Sequence, residues 1–236
     1  MRPSRHVRVP AAVVLAAALL TGCAQSVDPI ERLGKKAAQR VHPHGPAHEQ
    51  PYHHWGLTAP LAPPPKPSPL PAPRSAGPGL PPVVDHVRTH DKVVFLTYDH
   101  EEGARRDPRF ADLVRELRLP VTEFRTTPER HHFAGLPYAT QRAEICGSRP
   151  RPNSRLLRPP YGTYDTTTRR AAADCGISAL VLWRASTTAG TLTYARGDHH
   201  LTPGDIVQVG PADSAARLLR GIQGRGLTVG RLEDYL

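Results

Sequence analysis

The sequence predicts an α/β protein whose strands run mostly parallel, carried on a proline-rich arm. Three observations lead to that class. From residue 86 onward, short apolar runs rich in β-branched residues alternate with segments of helical period, the strand-then-helix repeat of a parallel sheet. Between Ala24 and Asp85 no hydrophobic period is sustained. Within that stretch, Pro60 to Pro82 hold eleven prolines in twenty-three residues. Proline locks φ and lacks an amide donor, so it builds extended polyproline II rather than a core.

Taken in order, the chain opens on a secretory signature. Arg2, Arg5 and Arg8 form a charged start, Ala11 to Leu20 an apolar stretch, and Leu20-Thr21-Gly22-Cys23 a bacterial lipobox. The apolar stretch is too short to span a bilayer. The expectation is a signal peptide over 1–22, cleaved before Cys23, whose lipidated thiol tethers the mature chain outside the cytoplasmic membrane. Residues 23–85 then form a semi-rigid spacer. Its histidines, His42, His44, His48, His53 and His54, have no regular ligand spacing and read as solvated.

Removing Arg2, Arg5 and Arg8 from the 31 basic residues leaves 28 against 21 acidic ones, a net charge of +7. That balance suits a solvated basic surface and attracts anionic partners such as teichoic acids, phospholipid headgroups or acidic glycans. Nucleic acid is disfavoured, because no basic stripe interleaved with aromatics occurs and the signal directs the chain outward. With Cys23 assigned to the lipobox, Cys146 and Cys175 remain. In an oxidising compartment they form either a disulfide or two buried thiols.

The domain spans 86–236. Val93 to Thr97 is a continuous apolar run with β-branched residues, a strand buried on both faces. A helix follows over Asp107 to Arg118, with Phe110, Leu113, Val114 and Leu117 on one face, and Pro120 breaks it. Val121 to Phe124 is the second strand, Thr140 to Cys146 a helix, and Arg155 to Leu157 a short strand. Asp165 or Thr166 caps the next helix and Gly176 ends it. Ala179 to Trp183, Asp205 to Val209 and Leu227 to Val229 are strands, and Asp213 to Gln223 is the last helix.

Two motifs carry the chemistry. Leu96-Thr97-Tyr98-Asp99 ends the first strand, and Leu157-Arg158-Pro159-Pro160-Tyr161-Gly162 follows a later one. Together they resemble two signature blocks of the polysaccharide deacetylases, the NodB homology domain or carbohydrate esterase family four. The resemblance implies a distorted (β/α) barrel, shortened here to about 150 residues, with its site at the carboxyl ends of the strands. It also implies removal of N-acetyl groups from a cell-wall or surface glycan such as peptidoglycan, by an activated water on a divalent metal, zinc by preference.

Residue by residue, the resemblance makes Asp99 the general base, Arg158 the group that positions it, and the Tyr161 backbone amide a donor to the oxyanion. Trp183 and Pro160 would line the acetyl pocket. The metal positions depart from the family's pattern. His100 stands where the second Asp of the Thr-Phe-Asp-Asp-Gly block would be, or Glu102 does if two residues are inserted. His131 and His132 are adjacent instead of four apart. His132 with His100 is the remaining candidate pair. The last block lacks its histidine, since Gln208-Val209-Gly210-Pro211 occupies the place, and His199 and His200 are the nearest substitutes. A second reading follows: a deacetylase-like lipoprotein that binds glycan without catalysis. A third makes the proline arm the working part. A serine hydrolase and a nucleotide enzyme are disfavoured, because neither a Gly-x-Ser-x-Gly elbow nor a phosphate-binding glycine loop is present.

Overall fold

The computed structural model describes residues 50–67, 79–101, 107–126, 132–147, 155–197 and 199–236. The signal peptide, the lipobox with Cys23, Glu102 and His131 lie outside the described residues. In order, the elements are α1 (Pro51–His54), β1 (Val83–Val84), β2 (Val93–Glu101), α2 (Pro108–Glu116), β3 (Val121–Thr126) and α3 (Tyr138–Gly147). Then come β4 (Leu156–Leu157), a 3-10 turn (Pro160–Gly162), α4 (Thr166–Asp174), β5 (Ala179–Val181), β6 (Ala185–Ser186) and β7 (Thr193–Tyr194). β8 (Ile206–Gln208), α5 (Ala212–Gly224), β9 (Thr228–Gly230) and a final 3-10 turn (Leu232–Asp234) complete the domain.

The strands form two sheets, one in the order β1-β5-β4 and one in the order β3-β2-β8-β6-β7, with β9 pairing the first residues of β2. Every ladder is parallel except the β6–β7 hairpin. Parallel strands need crossovers, and α2, α3, α4 and α5 supply them. Two of the helices begin at caps that their sequences offer. The Asp107 side chain accepts from the Arg109 amide at the start of α2, and Asp165 and Thr168 close a reciprocal capping box on α4.

Side chains alternate across a pleated strand, and the alternation divides the core. Val94 and Leu96 of β2 pack outward against Phe110 and Leu113 of α2 and Leu219 and Ile222 of α5. Val93 and Phe95 point the other way, into a core shared with Val84, Phe124, Leu156, Val181 and Ile206. That second cluster takes residues from both sheets, so it is the barrel interior. A third cluster holds α3 and α4 against Leu157 and Leu180, and the Cys146–Cys175 disulfide, Cα–Cα 5.3 Å, ties the ends of those two helices together.

The spacer expected over 23–85 gives way to folded chain by residue 51. Trp55 and Leu57 are buried in the α2–α5 cluster. The Trp55 indole N–H donates to Glu116 at 2.8 Å, and Gln223 and Arg220 of α5 hold the backbone carbonyls of Ala59 and Trp55. β1, also placed in the spacer by the sequence, pairs with β5. An isolated tryptophan among prolines and histidines has no period to betray it, which is why the sequence reading misses this strap.

Candidate functional site

The residues that follow the interior core at the carboxyl ends of the strands converge. Asp99 continues the inward face of Val93 and Phe95 on β2; Arg158 lies two places beyond Leu156, Trp183 two beyond Val181 and Gln208 two beyond Ile206. Sequence alternation alone therefore sends all four to the same end of the barrel.

Arg158 is the centre of this group, with its side chain 1% exposed. Its Nη1 donates to Asp99 Oδ1 at 2.9 Å, while Nε and Nη2 donate to the carbonyls of Val181 and Leu182 at 3.2 and 3.3 Å. The guanidinium lies 4.4 Å from the Phe124 ring centre and 5.3 Å from that of Trp183. Burial pulls its pKa below the ordinary arginine value, and the charge and hydrogen bond of Asp99 oppose that pull. A buried guanidinium is tolerable only when paired and hydrogen-bonded in this way.

Asp99 is shared. Its second oxygen, Oδ2, accepts from Gln208 Nε2 at 2.5 Å. Gln208 Oε1 in turn faces the Ser186 hydroxyl at 3.4 Å, and Ser186 meets the Thr188 hydroxyl at 2.9 Å. Gln208 is the residue of this group that sequence reasoning missed, because the search at this block was for a histidine. Its place two residues past Ile206 is the signal that would have found it.

The Arg158–Gly162 loop is shaped by its backbone. Tyr161 has φ 56° and Gly162 φ 68°, two successive left-handed residues, of which only glycine is at ease there. A Cβ on Gly162 would sit 3.2 Å from the Trp183 ring, so the loop lies flush on the indole. Tyr161 stands out from it, 52% exposed. His132 stacks on that ring at 4.6 Å and holds the Thr163 hydroxyl with Nδ1 at 3.0 Å. Pro160 is buried beneath.

The two expected metal ligands are not brought to Asp99. His100 follows Asp99 on a strand whose pairing with β3 runs unbroken through Glu101, so it projects from the opposite face. There it stacks on Tyr98, which lies on Phe110 of α2. His132 is engaged with Tyr161 and Thr163. His199 and His200 precede β8, at its amino end, and His199 meets Tyr194 edge-on. Among the described residues no group of three His, Cys, Asp or Glu side chains could hold a metal ion.

The absence of a histidine from the last block has a steric explanation at Gly210. A Cβ on Gly210 would lie 2.7 Å from the Thr187 carbonyl oxygen and 2.8 Å from Thr188 Cα, both backbone atoms. No side chain fits without moving the chain. Gly210→His is therefore expected to lower the unfolding free energy by about 1–3 kcal/mol, the usual cost of overpacking, as read by urea denaturation; an unchanged midpoint would mean the β6–β7 connection yields freely.

No protein-family model matches the chain. It is 54% identical over 199 residues to the uncharacterized protein SCO4760 of Streptomyces coelicolor, an alignment that covers 68% of this chain and 79% of that one. Among solved structures, the fold matches that of BA3943 from Bacillus anthracis, a CE4 family pseudoenzyme, at TM-score 0.52 and 16% identity over 66% of this chain and 69% of that one. It also matches the chitin deacetylase of the fungal pathogen Colletotrichum lindemuthianum at TM-score 0.50 and 13% identity over 67% and 92%. The chain belongs to the family of SCO4760 and has the polysaccharide deacetylase fold.

Of the residues named by the resemblance, the structure brings Asp99, Arg158, Trp183 and the Pro160–Gly162 loop together. The metal-dependent chemistry of the polysaccharide deacetylases needs a second carboxylate or imidazole beside the first. The described residues do not supply it, since His100 and His132 lie away from Asp99. A divalent cation does not fit this donor set.

Proposed function

We propose that this protein is a glycan-binding member of the deacetylase fold, which holds an N-acetylated cell-surface polymer such as peptidoglycan without hydrolysing it. The observation that carries the reading is the placement of the two expected histidines, His100 on the face of β2 opposite Asp99 and His132 against Tyr161 and Thr163. Metal-assisted hydrolysis needs ligands gathered beside the base, and neither of these histidines is brought there. Binding needs only a groove with aromatic surface and a few placed polar groups, and Trp183 and the exposed Tyr161 flank the loop at the same end of the barrel. Two neighbours in structure support the reading: BA3943 is described as a pseudoenzyme, and the fungal protein takes chitin. In this account the lipobox at Leu20 to Cys23 anchors the protein outside the cytoplasmic membrane, and the residues between Cys23 and the Trp55 strap join that anchor to the domain.

The test is co-sedimentation of the full chain with insoluble chitin and with peptidoglycan, alongside measurement of released acetate with and without added zinc. Retention on the polymer with no acetate above background is expected. Sustained acetate release in the presence of zinc would overturn the non-hydrolytic reading.

Tyr161 provides a sharper probe. A tyrosine in the left-handed region carries about 1–2 kcal/mol of backbone strain, and strain kept at a site is a reason to look for function there. Tyr161→Gly removes the strain and the ring together. The expected result is an unchanged or higher melting temperature with at least a tenfold loss of glycan affinity, whereas retained affinity would take the ring out of the binding surface.

A further inference from the structure

Gln208 has a chemical identity that its position makes informative. Its side chain ends in a carboxamide, and the N–H of that carboxamide donates to Asp99 Oδ2. The ligand class proposed above carries the same group: each N-acetyl sugar presents an acetamido N–H. Asp99 is 21% exposed and Gln208 half-buried, so this hydrogen bond stands at the open end of the barrel. Arg158, with a side chain 1% exposed, holds the other oxygen and so fixes the carboxylate. Gln208 itself is loosely kept, since its carbonyl oxygen has only the 3.4 Å contact to Ser186.

We propose that Gln208 is an internal stand-in for the ligand: its amide N–H occupies Asp99 Oδ2 in the free protein, and binding exchanges it for the acetamido N–H of the glycan. The inference rests on the glycan-binding reading. The exchange replaces one N–H···carboxylate hydrogen bond by another of the same kind, so it conserves charge and donor count. It also lowers affinity by the fraction of molecules in which Gln208 has swung aside. For a hydrogen bond to a charged group that fraction is about one in ten at the weak end of the range, the end that suits this loosely held side chain, and removing the competitor restores the difference.

The experiment is calorimetric titration of chitotetraose into the full chain and into Gln208→Ala and Gln208→Leu, with cellotetraose as the same ring lacking acetamido groups. Both variants are expected to bind chitotetraose about tenfold more tightly, with no gain for cellotetraose. Leucine keeps the volume, so a gain in both variants separates loss of the competing donor from simple enlargement of the pocket. In 15N-labelled protein with unaltered sequence, the side-chain amide signals of Gln208 should move at chitotetraose saturation, a readout that needs no variant and decides the matter if the variants fail to fold. Equal or weaker binding by folded variants, an equal gain for cellotetraose, or unmoved Gln208 signals would overturn the exchange while leaving glycan binding intact. Absence of chitotetraose binding by all three proteins would remove the glycan reading, and this inference with it.

Discussion

Asp99→Ala is expected to destabilise the folded domain by about 3 kcal/mol, the lower end of the range for stripping one partner from a buried ion pair. The lower end applies because Asp99 is itself one-fifth exposed, so water enters part of the space. What remains is Arg158, whose guanidinium has lost its carboxylate partner and keeps two backbone carbonyls and two rings. Urea unfolding of Asp99→Ala, Arg158→Met and the double variant forms a cycle that isolates the pair. The double variant should recover much of the loss, since an apolar side chain suits the space between Phe124 and Trp183. An Asp99→Ala midpoint within 0.5 kcal/mol of the unaltered protein, by the usual scale of surface substitutions, would show that the carboxylate is dispensable for the fold.

Trp55→Ala is the second large effect, about 3–5 kcal/mol, the range for truncating a buried tryptophan. The ring is 6% exposed, sits between α2 and α5, and spends its N–H on Glu116. A piece of the chain beginning at Val83 loses this ring and Leu57 together, so it should unfold at still lower denaturant than the point variant. Coincident midpoints for the full chain and Trp55→Ala would mean that the strap lies on the domain without stabilising it.

The two predictions mark where the sequence was legible and where it was not. Strands at Val93, Val121, Ala179 and Ile206 and helices at Pro108, Thr166 and Ala212 follow from periodicity and caps, and each lies within a few residues of its expected position. Those signals are local. Asp99, Arg158 and Trp183 were found because motif and strand end coincide, and the structure joins them. Trp55 was hidden because its partners are more than sixty residues away or beyond, on α2 and α5. His100 was misplaced by spacing alone: adjacency to Asp99 in sequence means opposition across a pleat. Gln208 was passed over because its role depends on a neighbouring strand rather than on its own block.

The register of the interior has a consequence for how such a site can change. Each of Asp99, Arg158, Trp183 and Gln208 is the next inward position after a core residue, so the barrel is a set of fixed sockets whose outermost place is independent of the packing below. A substitution in one socket rewrites the chemistry and leaves the foundation alone. An insertion of a single residue in β2, β4 or β8 turns the socket to the outside and brings a neighbour inward. The same scaffold is thus open to exchange of one socket residue for another and closed to any shift in frame along its strands.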